Sequence, residues 1–506
     1  MLKSKHILVL KSYCRYYSTS NNIAGPLKLC IIGSGPAGLY TANKIIKKLP
    51  DTDITIIDKL PSPFGLIRYG IAPDHQEQKR VKNLLEKTLI EHPQTIRFLG
   101  NVDMNTDLNL KDILASFNAT VLACGIEGEK KLGIPGETLD CIYSAREFTS
   151  WLNGHPHFQQ KIFNLSPEKK DVVIVGQGNV ALDVARLLIK KDNKELAQTD
   201  ITSKAMDIIS KSAVKNIHIV GRRGPVESSF STKELREICK LPNVQTWVND
   251  RSIIDSIDTQ SEPLLKDRIR QRVFQIFNDY LKPIPSEGLP QNDDKVNLIF
   301  HFLRSPNEFI ESEKIGNSVS KVKLEVNQLI RDNETSDTKA KGTGQFESIN
   351  CDIVFRSIGY TGVPIEGVPF DYKNVKVPNF QGKVLQKVNS DNQYIDGLFV
   401  SGWIKTGPTG TIAAIDKNVE ETTEMIYLDY QNNRLDLQKE KQGYKHIIEH
   451  LINTHKQTTN FDDWKKIEQE ELKRGKQLGK LSEKIIIFDD LKNIININNN
   501  NNNNNS

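Results

Sequence analysis

Leu29-Cys30-Ile31-Ile32-Gly33-Ser34-Gly35-Pro36-Ala37-Gly38 is the stretch whose reading decides the fold. The apolar run from Lys28 to Ile32 reads as a buried strand, and each glycine after it answers a separate physical demand. Gly33 permits a tight turn, Gly35 lets backbone approach a pyrophosphate, and Gly38 lets the next helix pack closely on the strand. That helix, expected from Pro36 to about Lys48, aims its N-terminal N–H groups and positive dipole end at the phosphate. A second strand, Ile54-Thr55-Ile56-Ile57, ends at Asp58, 20 residues beyond Gly38. A carboxylate there can accept both hydroxyls of an adenosine ribose and repels a 2′-phosphate. The site therefore suits FAD or NAD and not NADP.

A second signature follows: Val172-Val173-Ile174-Val175-Gly176-Gln177-Gly178-Asn179-Val180-Ala181. Asp171 to Val175 reads as a strand and the helix after it should run through Ile189, with Ala181 tolerated in the third glycine place. At the end of the next strand, Asn216 to Val220, stands Gly221-Arg222-Arg223-Gly224 and no acid. Two guanidiniums at that location meet the planar-fork geometry that a ribose 2′-phosphate requires, so this site reads as NADPH. Gly178 and Arg222 lie 44 residues apart, against the usual ~20. The excess, Asp192 to Val214, reads as a helical insert. Two such sites imply a protein that holds two redox cofactors and passes electrons between them.

Other stretches are less specific. Pro61 to His75 contains three prolines and two glycines, which reads as a rigid loop and not a helix, suited to line a flat ring system. From spacing alone His75 is an ordinary helix-start residue ahead of a helix over Gln76 to about Glu91. Cys351 to Tyr360 and Gly397 to Trp403 read as late strands that return to complete the first unit. Gly407-Pro408-Thr409-Gly410-Thr411-Ile412 opens a helix to about Leu428, where backbone N–H groups can meet a flavin carbonyl or a phosphate. Leu264 to Lys282 is an amphipathic helix with Leu265, Ile269, Val273, Phe277 and Leu281 on one stripe. Lys266, Arg268, Arg270 and Arg272 lie outside it. They form either a solvated face or a docking patch for an acidic partner.

Composition sets the bounds. At 506 residues, 38% hydrophobic and 26% charged, the chain is large enough for two or three domains. No run of 18 apolar residues exists, so a transmembrane segment is not expected. Six scattered cysteines without a C-x-x-C pair argue for a reducing compartment and against a disulfide scaffold, a cysteine-ligated metal or a redox dithiol. No acid precedes Asp51, whereas Lys3, Lys5, Lys11 and Arg15 are interleaved with apolar and Ser residues. Residues 1–25 therefore read as a mitochondrial transit peptide, with cleavage expected after Tyr17. Without those charges the formal +5 falls almost to neutrality, and no nucleic-acid partner is expected. From Ile494 onward the chain is almost pure Asn, which cannot bury enough apolar area to offset its ordering entropy.

Taken in order, these motifs resemble the adrenodoxin reductase family of the glutathione-reductase-like superfamily, from roughly Lys28 to Phe488. The likeness rests on Pro63 to His75, Gly176 to Asp183, Gly221 to Pro225 and Ser401 to Gly410. Phe461-Asp462-Asp463-Trp464 and Arg474-Gly475-Lys476 extend it. It implies an α/β fold of two Rossmann-like domains, the NADP domain inserted in the FAD domain. The expected boundaries are 26–135 and 356–490 for the FAD part, 136–355 for the NADPH part and 491–506 for a disordered tail. It implies FAD contacts at Ala37, Asp58, Leu66, Val102, Trp403 and Gly410 to Ile412, including Thr411. It implies NADP contacts at Gln177, Gly178, Asn179, Val180, Arg222, Arg223, Glu234 and Gly410. His75 and Glu237 match positions near flavin and nicotinamide and would tune them. The family more often has Glu at Asp58, and Lys-Arg where this chain has Lys405-Thr406, so one partner-facing charge is missing. The implied activity is NADPH-dependent reduction of a [2Fe–2S] ferredoxin through FAD, by a monomer in the mitochondrial matrix, peripheral on the inner membrane. A monooxygenase or disulfide reductase-like flavoenzyme is the alternative.

Overall fold

A computed structural model describes residues 26–290, 294–331, 338–388, 393–408, 412–487 and 490–495. The expected leader, and Gly410 and Thr411, lie outside the described residues.

Two seven-stranded sheets organise the molecule. The first runs, in spatial order, Asn379–Phe380, Lys383–Leu385, Tyr394–Val400, Ala119–Leu122, Lys28–Ile32, Asp53–Ile57 and Ile96–Leu99. Its last five strands are parallel. Parallel strands are covered on both faces and so read as continuous apolar runs; Leu29, Cys30 and Ile31 have no exposed surface. Helix Pro36–Lys48 starts with proline in its first turn, where no N–H is needed, and packs against helix Ile412–Gln431.

The second sheet is parallel throughout. Its order is Lys282–Pro283, Val244–Val248, Val296–His301, Asn216–Val220, Asp171–Val175, Ile353–Arg356 and Ile142–Ser144. The chain thus leaves the first sheet after Leu122, builds the second, and comes back to the first at Asn379. Ile353–Arg356 reads from the sequence as a strand completing the first unit, although the expected boundary at 355/356 leaves most of it in the second. It pairs instead with Val172–Val175, because Ile353, Val354 and Phe355 are fully buried and complete the apolar centre of the second sheet.

Three further expectations are corrected, and one sheet is added to them. Leu66–Tyr69, inside the supposed loop, is one helical turn entered from Gly65 in a positive-φ conformation (φ 45°). The basic helix is confined to Arg268–Tyr280, and Ile269 is 63% exposed. Residues spaced by four drift about 40° per step around a helix, so the core face passes to Val273, Ile276 and Phe277. An antiparallel sheet of Arg304–Glu311, Val319–Arg331 and Thr338–Asn350 was not anticipated. Its Phe309, Val322 and Leu324 pack on Val173, Val175 and Val220 of the second sheet. Finally, the fold continues past 490. Residues 490–495 are helical, and Leu491, Ile494 and Ile495, at three- and four-residue spacing, pack on the first core.

Candidate active site

The first glycine turn opens on a cavity of about 420 Å³ lined by Gly33, Gly35, Ala37, Asp58, Leu66, Val102 and Trp403. The glycines play distinct parts. A Cβ on Gly33 (φ 107°) would sit 2.6 Å from the Ala123 carbonyl oxygen, and one on Gly38 would sit 1.9 Å from that of Gly33. A Cβ on Gly35 would meet nothing, because it would enter the cavity itself. That is the cradle a pyrophosphate needs. Asp58 accepts from the Ser34 N–H at 2.7 Å, the Ser34 hydroxyl at 2.6 Å and the Leu60 N–H at 2.9 Å. With three of roughly four acceptor positions filled, it keeps room for one ribose hydroxyl, not the expected pair. Burial raises its pKa against the lowering by these donors.

The second turn opens on a cavity of about 810 Å³ lined by Gln177, Gly178, Asn179, Val180, Arg222 and Arg223. Gly178 again faces open space, while a Cβ on Gly176 would lie 2.1 Å from the Ser357 carbonyl oxygen. The segment that follows the arginine turn is tied to the glycine turn: Ser229 N–H donates to the Gln177 carbonyl at 2.8 Å and Ser231 N–H to the Asn179 amide oxygen at 2.7 Å. The unanticipated antiparallel sheet braces it from outside, through the Asn327 amide to the Arg222 carbonyl at 2.9 Å. Arg222 is exposed and Arg223 half-buried, so charge reaches the cavity rim without a full desolvation penalty.

The two cavities share Arg146 and Trp403 in their walls. Trp403 stacks obliquely on Tyr360, ring centres 5.5 Å apart, and its buried indole N–H has no partner. A buried donor left unpaired is costly, and here it is held where a flat ligand spanning both sheets would lie. The residues present therefore fit FAD in the first cavity and NADPH in the second.

His75, Glu234 and Glu237 line neither cavity. They belong to a buried ion network joining the two sheets. His75 Nε2 lies 3.1 Å from a Glu237 oxygen and 3.4 Å from one of Glu234. Arg186, fully buried, reaches Asp74 at 2.7 Å, Asp183 at 2.7 Å and Glu234 at 3.1 Å. Lys190 bridges Asp74 and Glu237, each at 3.0 Å. Burial alone would push the His75 imidazole down, but the Glu237 hydrogen bond, with Asp74 and Glu234 nearby, raises its pKa above the ordinary value. The same hydrogen bond, helped by Lys190 and Arg186, brings Glu237 down to about 2. Burial lifts Asp183 to about 6. Asp74, His75 and Glu237 approach as metal ligands would, as do His75, Asp183 and Glu234. The neutralising charge at both places is already supplied by Arg186 and Lys190.

Sequence reasoning missed Arg186, although a signal existed: a lone guanidinium within Val184-Ala185-Arg186-Leu187-Leu188-Ile189. Lys405, next to the position where a partner-facing charge is missing, is itself 5% exposed and turned inward to Asn418, Thr422 and Glu421. Arg270, expected in a docking patch, is half-buried and donates to the Val226 carbonyl at 3.3 Å, leaving Arg268 and Arg272 exposed. Among the described residues Cys124 is the one cysteine lining either cavity, and five cysteines are free thiols. A flavin-side dithiol therefore has no second sulfur here.

Two parallel sheets, each ending in a glycine turn over its own cavity, with the cavities sharing a wall, define a two-dinucleotide oxidoreductase. Residues 27–240 match the pyridine nucleotide-disulphide oxidoreductase family. The chain is 53% identical to a probable mitochondrial NADPH:adrenodoxin oxidoreductase of Dictyostelium discoideum, over 96% of this chain and 95% of that one. It is 36% identical to the mitochondrial NADPH:adrenodoxin oxidoreductase of Homo sapiens, over 94% and 92%. A solved structure of Mycobacterium tuberculosis FprA in complex with NADPH superposes with a TM-score of 0.82 at 29% identity, over 93% of this chain and 99% of that one. The chain belongs to the NADPH:adrenodoxin oxidoreductase family.

Proposed function

We propose that this protein is a mitochondrial flavoenzyme that takes electrons from NADPH and delivers them to an adrenodoxin-type [2Fe–2S] ferredoxin. The observation that carries the reading is the pair of cavities with opposite ribose chemistry, a carboxylate in one and two guanidiniums in the other, sharing a wall at Trp403. Bound FAD supplies the step from paired to single electrons; the chain's residues bind, orient and exclude water. Asp58 orients the adenosine ribose of FAD, and Gly35 and the Pro36–Lys48 helix receive its pyrophosphate. Leu66 and Val102 complete that pocket, and the family resemblance assigns Gly410, Thr411 and Ile412 to the flavin as well. Gln177 to Val180 receive the NADPH pyrophosphate while Arg222 and Arg223 take its 2′-phosphate. His75 and Glu237 tune the cofactors from outside the two cavities, through the buried charge network that also holds Glu234.

The ferredoxin docks on the exposed Arg268 and Arg272 side of the basic helix, steered by its own negative surface. Among the described residues no helix is long and apolar enough to cross a membrane. The family resemblance favours a monomer in the matrix, peripheral on the inner membrane. The acid-free leader directs import there, and the ferredoxin serves mitochondrial P450, haem or iron–sulfur pathways. The test is an anaerobic titration of the purified protein with NADPH, following the flavin absorbance. Bleaching by NADPH, then recovery when oxidised [2Fe–2S] ferredoxin is added, is the expected result. A protein without flavin, or a bleached form that ferredoxin does not re-oxidise, overturns the reading.

A further inference from the structure

Arg146 lies in the first turn of the Ala145–Leu152 helix, which directly follows the edge strand Ile142–Ser144 of the second sheet. Among the described residues it is the one charged side chain in the wall common to both cavities. Its surroundings leave its charge unmatched. Glu129 lies 3.6 Å from Arg356, and Glu147 is held by Lys161 at 2.5 Å. Among the described residues no carboxylate lies within ion-pair distance of Arg146. Its guanidinium rests over the Phe158 ring at 5.6 Å, and its buried Nε–H has no acceptor. His155, in the wall of the flavin cavity, does not compete as a cation: burial, then His157, Arg146 and Lys59, hold it down to about 3.

An unpaired, partly desolvated guanidinium is unfavourable unless something negative arrives. Hydride transfer supplies that. One C–H bond of NADPH breaks, its electron pair and proton pass to the flavin, and NADP+ remains. The flavin then carries one additional negative charge, without a second proton taken from solvent. A flavin and a nicotinamide held in the two cavities would exchange that charge beside the wall that Arg146 and Trp403 share. A fixed donor aimed where charge develops acts without reorganisation in a low-dielectric site.

We propose that Arg146 is a positioning and charge-stabilising residue at the cofactor junction, holding the negative charge that the flavin acquires when it is reduced. The proposal rests on the flavin and NADPH reading above, and its test is independent of both NADPH and ferredoxin. Flavin-loaded protein is reduced by dithionite against a reference dye, and its midpoint potential is compared with that of Arg146→Gln and Arg146→Lys. Arg146→Gln should retain its yellow flavin and shift the oxidised-to-reduced equilibrium about tenfold toward the oxidised form. For a two-electron couple that corresponds to a fall of about 30 mV. Arg146→Lys, which keeps the charge and loses the fork, should stay within about twofold of the parent. An unchanged potential in Arg146→Gln overturns the proposal, as does an equal fall in both variants, since a packing role would be lost in both. If Arg146→Gln does not hold flavin, the lysine variant decides: a tenfold shift there, with charge retained, also overturns it. Parent protein that carries no reducible flavin would instead reject the underlying functional reading.

Discussion

Asp58 and the pair Arg222–Arg223 occupy equivalent places at the ends of the second strands of two similar units, and the choice of cofactor turns on their charge. A charge-assisted hydrogen bond is worth about 1.5–3 kcal/mol, so replacing both arginines by alanine should weaken NADPH by roughly 100-fold or more. NADH, lacking the 2′-phosphate, should change little. Dissociation constants for the two nucleotides measure the ratio, and an equal loss for both would reject the assignment. These residues were readable beforehand because chain spacing alone places them at strand ends. The ion network was not. Arg186, Asp74 and Glu237 come from distant parts of the chain, and their meeting depends on how the two sheets face one another. The single hydroxyl left to Asp58 was equally hidden, since nothing in the spacing of Gly33-Ser34-Gly35 places the Ser34 N–H and hydroxyl on the carboxylate.

At the level of elements, the glycine turns make a sharper prediction than the strands they follow. Gly38→Ala drives a methyl into backbone 1.9 Å away and should cost on the order of 3 kcal/mol, at the upper end of overpacking. In thermal unfolding that is a fall of roughly 6–12 °C. Gly35→Ala meets only open space. Its apoprotein should unfold at the parent temperature while flavin content falls sharply, so equal thermal losses in the two variants would refute the division of labour. The basic helix carries another. Reversing Arg268 and Arg272 should slow ferredoxin reduction but spare NADPH-driven ferricyanide turnover; a parallel fall in both rates would move the docking face elsewhere. Strands and glycine helices were legible because burial on both faces leaves an uninterrupted apolar signature. The antiparallel sheet was not, because Thr338–Asn350 is largely exposed and polar and gains its partner only through pairing with Val319–Arg331. Ile353–Arg356 has the right pattern for either sheet, and only packing chooses between them.

Across the whole molecule the two sheets are welded by buried charge, and pH should reveal the weld. Hydrogen bonding to His75, with Lys190 and Arg186, lowers Glu237 from 4.5 to about 2. Asp74 and Asp200, despite burial, are also lowered by their cationic partners. Groups lowered in this way stabilise the folded state above their ordinary pKa, and the stabilisation disappears as pH falls through the folded value. His75, raised, contributes in the opposite sense: its stabilisation is complete below its ordinary value and is lost as pH climbs past the raised one. The unfolding temperature should therefore drop most steeply between pH 4.5 and about 2. Glu237→Gln should flatten that acid limb, and an unchanged slope would place the acid sensitivity outside this cluster.

The placement of Tyr394–Val400 beside Ala119–Leu122 has a consequence for biosynthesis. A chain that emerges amino-terminus first exposes the amino-terminal half of the flavin lobe long before the strand that flanks its centre arrives, and the whole intervening lobe can mature in the meantime. A nascent chain arrested before Tyr394 would display Gly33 to Gly38 on a half-built platform with an open edge. Vitamin capture therefore belongs to the closing moments of assembly, after the carboxyl-terminal portion has emerged and threaded back.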